Sequence, residues 1–274
     1  MSVIDFNQLP IHKVNADLSY DQPNMPLPDT KEGLPYKFQT YADVDEPVFD
    51  PAIHLNLQTP DFVKTFPGYE KNTRARDGNL AYCKPCQVLS VQGLQVIRKI
   101  VEREMPDVAP SRGSRTALRG LYYSSPWFRD FHSSPLLLDH VSAIAGERLV
   151  VTHDLPSAPQ VNSSVPGVGG AAEFWHWDSI NYVGNFLIND MEGIEGGDLE
   201  IIKMEKRAGM KALVNGSLRP EQLERISYEG PGKMMLCQGS EILHHVTPIR
   251  SCIMGILGSI TSFIIKSLII THYM

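Results

Sequence analysis

The stretch Phe174-Trp175-His176-Trp177-Asp178 constrains this chain more than any other. It sets two metal-capable side chains two residues apart. On a β-strand, positions i and i+2 face the same side. His176 and Asp178 can therefore meet one ion. A third ligand has to come from a distant segment. His244 and His245 lie in such a segment, the strand-like run 241–248. A fold that joins them must lay these two strands near one another. Two histidines and one carboxylate bind a transition metal while leaving coordination positions open.

The chain has 274 residues, which suits one large domain or a domain with extensions. Its apolar content of 42% is enough for a sizeable core. A net charge of -6 argues against a broad basic surface, so no nucleic-acid partner is expected. There is no internal repeat and no zinc-finger spacing. The first residues lack a basic region followed by an apolar core, which excludes a signal peptide. Cys83, Cys86, Cys237 and Cys252 are too sparse for a disulfide scaffold and fit a reducing compartment. A cytoplasmic location is the expectation.

Residues 1–85 are read as an N-terminal wrapping or lid segment. Pro26, Pro28, Pro35, Pro47, Pro51 and Pro60 exclude long helices there, and Ile53–Leu57 is a short strand candidate. Cys83-Lys84-Pro85-Cys86 is a CxxC without the surrounding βαβ pattern of a redox motif or the further ligands of a zinc site. Two ordinary thiols are the simpler reading. Leu94, Ile97 and Val101 give helical spacing across 88–105.

Between 111 and 133, Arg112, Arg115, Arg119 and Arg129 mix with Tyr122, Tyr123, Trp127, Phe128 and Phe131. This is either a face for an acidic substrate or a packed connector. Ser134-Pro135 then opens a second helix, with Ser134 as its cap, Leu137, Val141 and Ile144 as its buried stripe and Gly146 as its stop. Short strands are expected at 149–152, 160–162, 180–188, 199–204, 234–237 and 242–246, with a helical turn from Pro220. Pro166 to Gly170 is a flexible approach to the central motif, not a phosphate loop. Many short strands after two helices favour a mainly β fold with flanking helices, an antiparallel barrel or jelly roll, over residues 86–250.

The run 174–248 resembles the core of Fe(II)- and 2-oxoglutarate-dependent dioxygenases. The residues that carry the resemblance are His176-Trp177-Asp178, Asn185 to Asn189, Gly196 to Glu200, and Gly239 to Pro248. The distal segment matches the His-x-Val-x-Pro form, which selects His244 rather than His245. The resemblance implies a double-stranded β-helix with Fe(II) held by His176, Asp178 and His244. It implies that 2-oxoglutarate is consumed with molecular oxygen to give succinate and carbon dioxide while a small-molecule substrate is oxidised. Asp178 argues against the halogenating branch, where a small residue makes room for halide. Core histidines with a capping aspartate, a cupin-like metal enzyme without the oxoacid, and a zinc hydrolase are the competing readings; sequence marks no general base for the last.

The chain departs from the family after Pro248. A basic residue commonly follows the distal histidine by about ten positions, but residues 253–256 are Ile-Met-Gly-Ile. Arg250 is the nearest candidate for the oxoacid's carboxylate anchor, and an arginine from 112–129 is the substitute. Asn162, Tyr182 and Asn185 are candidate hydrogen-bonding residues around the oxoacid. Residues 251–274 form an apolar tail interrupted by Lys266; it is a strand, a membrane anchor or the product of an unusual isoform. That tail supports one alternative from another class: a catalytically impaired jelly-roll subunit that stabilises a partner, anchored to a membrane by its C-terminus.

Overall fold

The computed structural model describes residues 45–63, 66, 80–104, 115–151, 159–164, 173–252 and 264–271. All lie in the unit Asp43–Met274. Most of the N-terminal segment, Arg112, the 166–170 approach and residues 253–263 of the tail lie outside the described residues.

The described strands are β1 (Phe62–Val63), β2 (Tyr82–Cys83), β3 (Cys86–Gln87), β4 (Arg115–Leu118), β5 (Leu149–Val151), β6 (Gln160–Ser164), β7 (Glu173–His176) and β8 (Tyr182–Leu187). They continue with β9 (Ile194–Glu195), β10 (Leu199–Ile202), β11 (Leu223–Ile226), β12 (Lys233–Cys237), β13 (Leu243–Val246), β14 (Ser251–Cys252) and β15 (Ile264–Thr271). Every pairing among them is antiparallel. The larger sheet runs β1-β2-β12-β8-β15-β6-β4, with β3 beside β12 and β5 beside β15. The smaller sheet runs β11-β10-β13-β7, and β9 pairs with β14.

Period-2 alternation divides the core into two layers. On β8, Tyr182 and Phe186 join one cluster, while Val183 and Leu187 join the other. On β12, Met234 and Leu236 join the first, Met235 and Cys237 the second. The first cluster takes in the helices Val91–Glu104, Pro126–His132 and Pro135–Ala145 through Ile97, Ile100, Trp127, Phe131, Leu137 and Val141. The second joins the larger sheet to Leu199, Ile201, Ile226 and Val246 of the smaller one. Each fully buried large apolar side chain contributes about 1.5–3 kcal/mol from leaving water.

Several local expectations change. Residues Pro51–His54 form a helical turn where a strand was expected: Pro51 occupies its first turn, and the Asp50 side chain accepts from the Ala52 N–H. The mixed Arg and aromatic stretch folds into helices Leu121–Ser124 and Pro126–His132, and its Trp127, Phe128 and Phe131 are buried. The following helix starts at Pro135 and stops at Gly146 (φ +75°) as expected, but the Ser134 side chain makes no capping hydrogen bond. Helix Lys206–Val214 was not anticipated; Glu205 caps it by accepting from the Arg207 and Ala208 N–H groups.

In the tail, β15 lies between β8 and β6, so residues 264–271 complete the larger sheet. No helix among the described residues is long and apolar enough to cross a membrane.

Candidate metal centre

Strand register brings the distant ligands together. His244 on β13 is paired with His176 on β7 and, on its other side, with Ile201 on β10. The two imidazole centroids are 4.3 Å apart. Asp178 lies just beyond the end of β7. Its backbone N–H donates to the Gly239 carbonyl at 2.8 Å, which turns the chain so that the carboxylate faces both histidines. Asp178 Oδ1 is 3.6 Å from His176 Nε2, and Oδ2 is 3.4 Å from His244 Nε2. Among the described residues this is the one group of three or more metal-capable side chains, with ligand atoms all within 4.8 Å of one another.

Backbone carbonyls orient both rings. His176 Nδ1 lies 2.7 Å from the Phe174 carbonyl, and His244 Nδ1 lies 3.0 Å from the Ile242 carbonyl. A carbonyl only accepts, so each Nδ1 carries a proton, and Nε2, on the side of Asp178, is the atom placed to ligate. This second contact is what fixes the tautomer of a metal-binding histidine. The donor set of two imidazole nitrogens and one carboxylate fits a divalent transition ion.

Gly239 permits the close approach. A Cβ there would stand 2.7 Å from Asp178 Oδ2 and 2.9 Å from Val183 Cγ2. Sequence reading placed Gly239 at the start of the distal segment but gave it no role beside Asp178.

His245 points the other way, as strand alternation requires. Its Nε2 is 2.9 Å from Glu200 Oε2, and its ring stacks on Trp175 with centroids 3.9 Å apart. Arg225 also reaches Glu200, at 3.1 Å. Arg225, Glu200 and His245 are successive register partners across β11, β10 and β13. They form an outer polar row behind the inner row of Ile201, His244 and His176.

The candidate oxoacid residues are spread more widely. Asn185 is buried on the inter-sheet side of β8 among Val183 and Leu187, with Nδ2 donating to Cys237 Sγ at 3.8 Å. Asn162 is buried beside Val161 of the helix-facing cluster and so faces the inter-sheet side; its Oδ1 has no hydrogen-bond partner among the described residues. Tyr182 belongs to the helix-facing cluster, and its hydroxyl donates to Glu147 Oε1 at 2.7 Å. Arg250 is exposed: its Nε donates to Glu195 Oε1 at 3.0 Å, and its N–H to the Glu195 carbonyl at 2.8 Å. Lys266 holds the backbone register position opposite Asn185 and Gln160.

Beside the triad in the sequence, Phe174 and Trp177 are exposed. Lys206 stands over the Trp177 ring at 5.8 Å and donates to the Ser240 carbonyl and Glu241.

No protein-family model and no curated protein matches this chain. Among solved structures, a Pseudomonas putida prolyl-4-hydroxylase is similar at 9% identity and TM-score 0.46, over 70% of this chain and 94% of that one. HygX from Streptomyces hygroscopicus, with nickel and 2-oxoglutarate bound, is similar at 14% identity and TM-score 0.48, over 69% of this chain and 82% of that one. EctD from S. alaskensis, with 2-oxoglutarate and 5-hydroxyectoine, is similar at 13% identity and TM-score 0.46, over 82% of each chain. At these scores the likeness assigns no activity to this chain.

Proposed function

We propose that this chain is a non-haem Fe(II)/2-oxoglutarate-dependent oxygenase of a small organic molecule, built on a double-stranded β-helix. The observation that carries the reading is the convergence of His176, Asp178 and His244 across the β7–β13 pair. His176 and His244 would hold the ion through Nε2, and Asp178 would supply the anionic ligand. When bound, Fe(II) supplies redox chemistry and open coordination positions for the oxoacid and oxygen.

The chain's own residues supply orientation. The Phe174 and Ile242 carbonyls keep both imidazoles in the Nδ1-protonated tautomer. Gly239 holds Asp178 in place through its carbonyl. Asn162 and Asn185, both facing between the sheets, are suited to hydrogen-bond the oxoacid. Its distal carboxylate is assigned to Arg250, which must first leave Glu195. Phe174 and Trp177, both exposed, offer an apolar surface for the carbon skeleton of a substrate.

The test is anaerobic loading with Fe(II) and 2-oxoglutarate, admission of oxygen in the presence of candidate small molecules, and measurement of succinate. Metal-dependent succinate formation that Asp178→Ala abolishes is expected. A loaded wild-type protein that binds metal but neither binds nor turns over the oxoacid would overturn the reading in favour of an inactive subunit.

A further inference from the structure

Lys206 touches the chain on both sides of the hydrogen bond that holds Asp178. We infer that Lys206 is a positioning residue: it clamps the turn 238–241 to Trp177 and so fixes the Asp178 carboxylate relative to His176 and His244. The inference deepens the metal-centre reading and rests on it.

The link in question is one backbone contact. The Asp178 N–H, in the Trp177–Asp178 peptide, donates to the carbonyl of the Gly239–Ser240 peptide at 2.8 Å. Lys206 Nζ donates to the Ser240 carbonyl at 2.7 Å and stands over the Trp177 ring, 5.8 Å from its centroid. A cation at that range is attracted by an indole. Lys206 thus reaches the residue before Asp178 and the residue after Gly239. Glu241 Oε1 is a further partner of the ammonium at 3.0 Å. The Lys206 and Glu241 side chains are 22% and 19% exposed, so water and salt screen these charge-assisted bonds only in part.

Helix docking sets the lysine there. Lys206 is the first residue of helix Lys206–Val214. Gly209, one turn on, lets the helix approach β10 and β13: a Cβ there would stand 3.0 Å from Ile202 Cγ2 and 3.1 Å from Leu243 Cδ1. Leu243 is the neighbour of His244, so the helix is seated beside the strand that carries a ligand. A cation in the first turn runs against the helix dipole. Helix stability therefore does not account for a lysine at this position, whereas its contacts with Ser240, Glu241 and Trp177 do.

The turn is fixed at its ends by other bonds. The Gln238 N–H donates to the Ala81 carbonyl at 2.9 Å, and the Ile242 N–H to the Gln238 carbonyl at 3.1 Å. Lys206 holds the middle, at Ser240. A shift there carries the Gly239 carbonyl with it and moves Asp178, whose oxygens lie 3.6 Å and 3.4 Å from the two histidine Nε2 atoms. Groups that orient a ligand without touching the metal still set its affinity.

The experiment compares full-length wild type with Lys206→Met, Lys206→Arg and Lys211→Met, using Co(II) as the probe. Lys206→Met keeps the aliphatic stem and removes the charge and the donors; Lys206→Arg restores both. Lys211→Met removes an exposed charge from the same helix. Co(II) affinity and the visible bands of the bound ion are read first, then amide exchange at Asp178 in the metal-free protein. Lys206→Met should weaken Co(II) by about tenfold and shift its bands, and should speed Asp178 exchange by about tenfold. Lys206→Arg should recover most of each loss, and Lys211→Met should match wild type. A lysine that only tethered the helix would leave the Co(II) bands in place. Unchanged Co(II) affinity and bands in folded Lys206→Met, or an equal loss in Lys211→Met, would overturn the inference. If Lys206→Met does not fold, Lys206→Gln, which keeps a donor without the charge, is read by the same criteria. Failure of the metal-centre reading shows differently: wild type then binds no Co(II), and the exchange rate at Asp178 alone decides whether Lys206 holds the turn.

Discussion

His244 stands opposite His176 in the β13–β7 ladder, their ring centroids 4.3 Å apart, while its neighbour His245 stacks on Trp175 behind the sheet. One residue of register decides which histidine can meet a metal. His244→Ala should therefore abolish stoichiometric Fe(II) binding in an anaerobic titration. His245→Ala should retain the metal but lose about 1–2 kcal/mol of stability in urea unfolding, because the ring stack and the Glu200 hydrogen bond disappear. Equal metal loss in both variants would contradict the register.

Gly239→Ala tests the support beneath Asp178. The added methyl meets Asp178 Oδ2 at 2.7 Å and Val183 Cγ2 at 2.9 Å, so the turn or the carboxylate must move. The expected cost is about 1–3 kcal/mol of stability, with Fe(II) affinity weakened at least tenfold. Unchanged affinity in a folded variant would show that the glycine does not position the ligand.

The grouping of His176, Asp178 and His244 was legible in the sequence because its pattern is local: a histidine and an aspartate two apart, then a histidine before Val246 and Pro248. The way Asp178 reaches the two histidines was not. Strand alternation suggested it, yet β7 ends at His176, and a backbone hydrogen bond to Gly239 does the positioning. That contact joins residues far apart in sequence and leaves no periodic trace. Helix Lys206–Val214 was hidden for another reason. Its interior Gly209 lowers helix propensity, but a Cβ there would meet Ile202 Cγ2 at 3.0 Å and Leu243 Cδ1 at 3.1 Å, so close packing on the sheet favours glycine. The arginines and aromatics of 111–133 left a substrate face and a packed connector both open, and burial of Trp127, Phe128 and Phe131 agrees with the connector, since its aromatic residues build the core.

His132 gives the fold an acid sensitivity. Its ring lies beside Phe128 and Tyr122, and neither nitrogen has a hydrogen-bond partner among the described residues. Burial draws its pKa down from 6.5 to about 4. The native state therefore keeps the ring neutral where the unfolded chain has already taken up a proton. This contribution is fully present above pH 6.5 and is lost as pH falls toward 4, by roughly 3 kcal/mol in total. His132→Phe should remove that share of the pH dependence when urea midpoints are compared across pH 4–7. Parallel curves for the variant and wild type would refute the assignment.

Arg250 is the proposed anchor of the oxoacid's distal carboxylate. Its pair with Glu195 is solvent-exposed at both ends, with side-chain accessibilities of 58% and 62%. Such a pair contributes about 0–1 kcal/mol, so releasing the guanidinium costs little. A desolvated guanidinium–carboxylate pair with 2-oxoglutarate would be worth far more, since truncating one partner of a buried charge pair costs roughly 2–5 kcal/mol. Arg250→Leu should then weaken oxoacid binding by at least about thirtyfold in calorimetry at fixed metal occupancy, with Fe(II) affinity unchanged and stability shifted by less than about 1 kcal/mol. Glu195→Gln removes the competing carboxylate and should tighten the oxoacid slightly. If Arg250→Leu leaves oxoacid affinity intact, the anchor lies elsewhere, and Lys266→Met becomes the discriminating variant. Lys266 has the required charge and holds the β15 register position opposite Asn185, a residue that faces the space between the sheets. A thirtyfold loss in Lys266→Met with none in Arg250→Leu would transfer the anchor to the tail strand, and would make residues 264–271 part of the binding site as well as of the sheet.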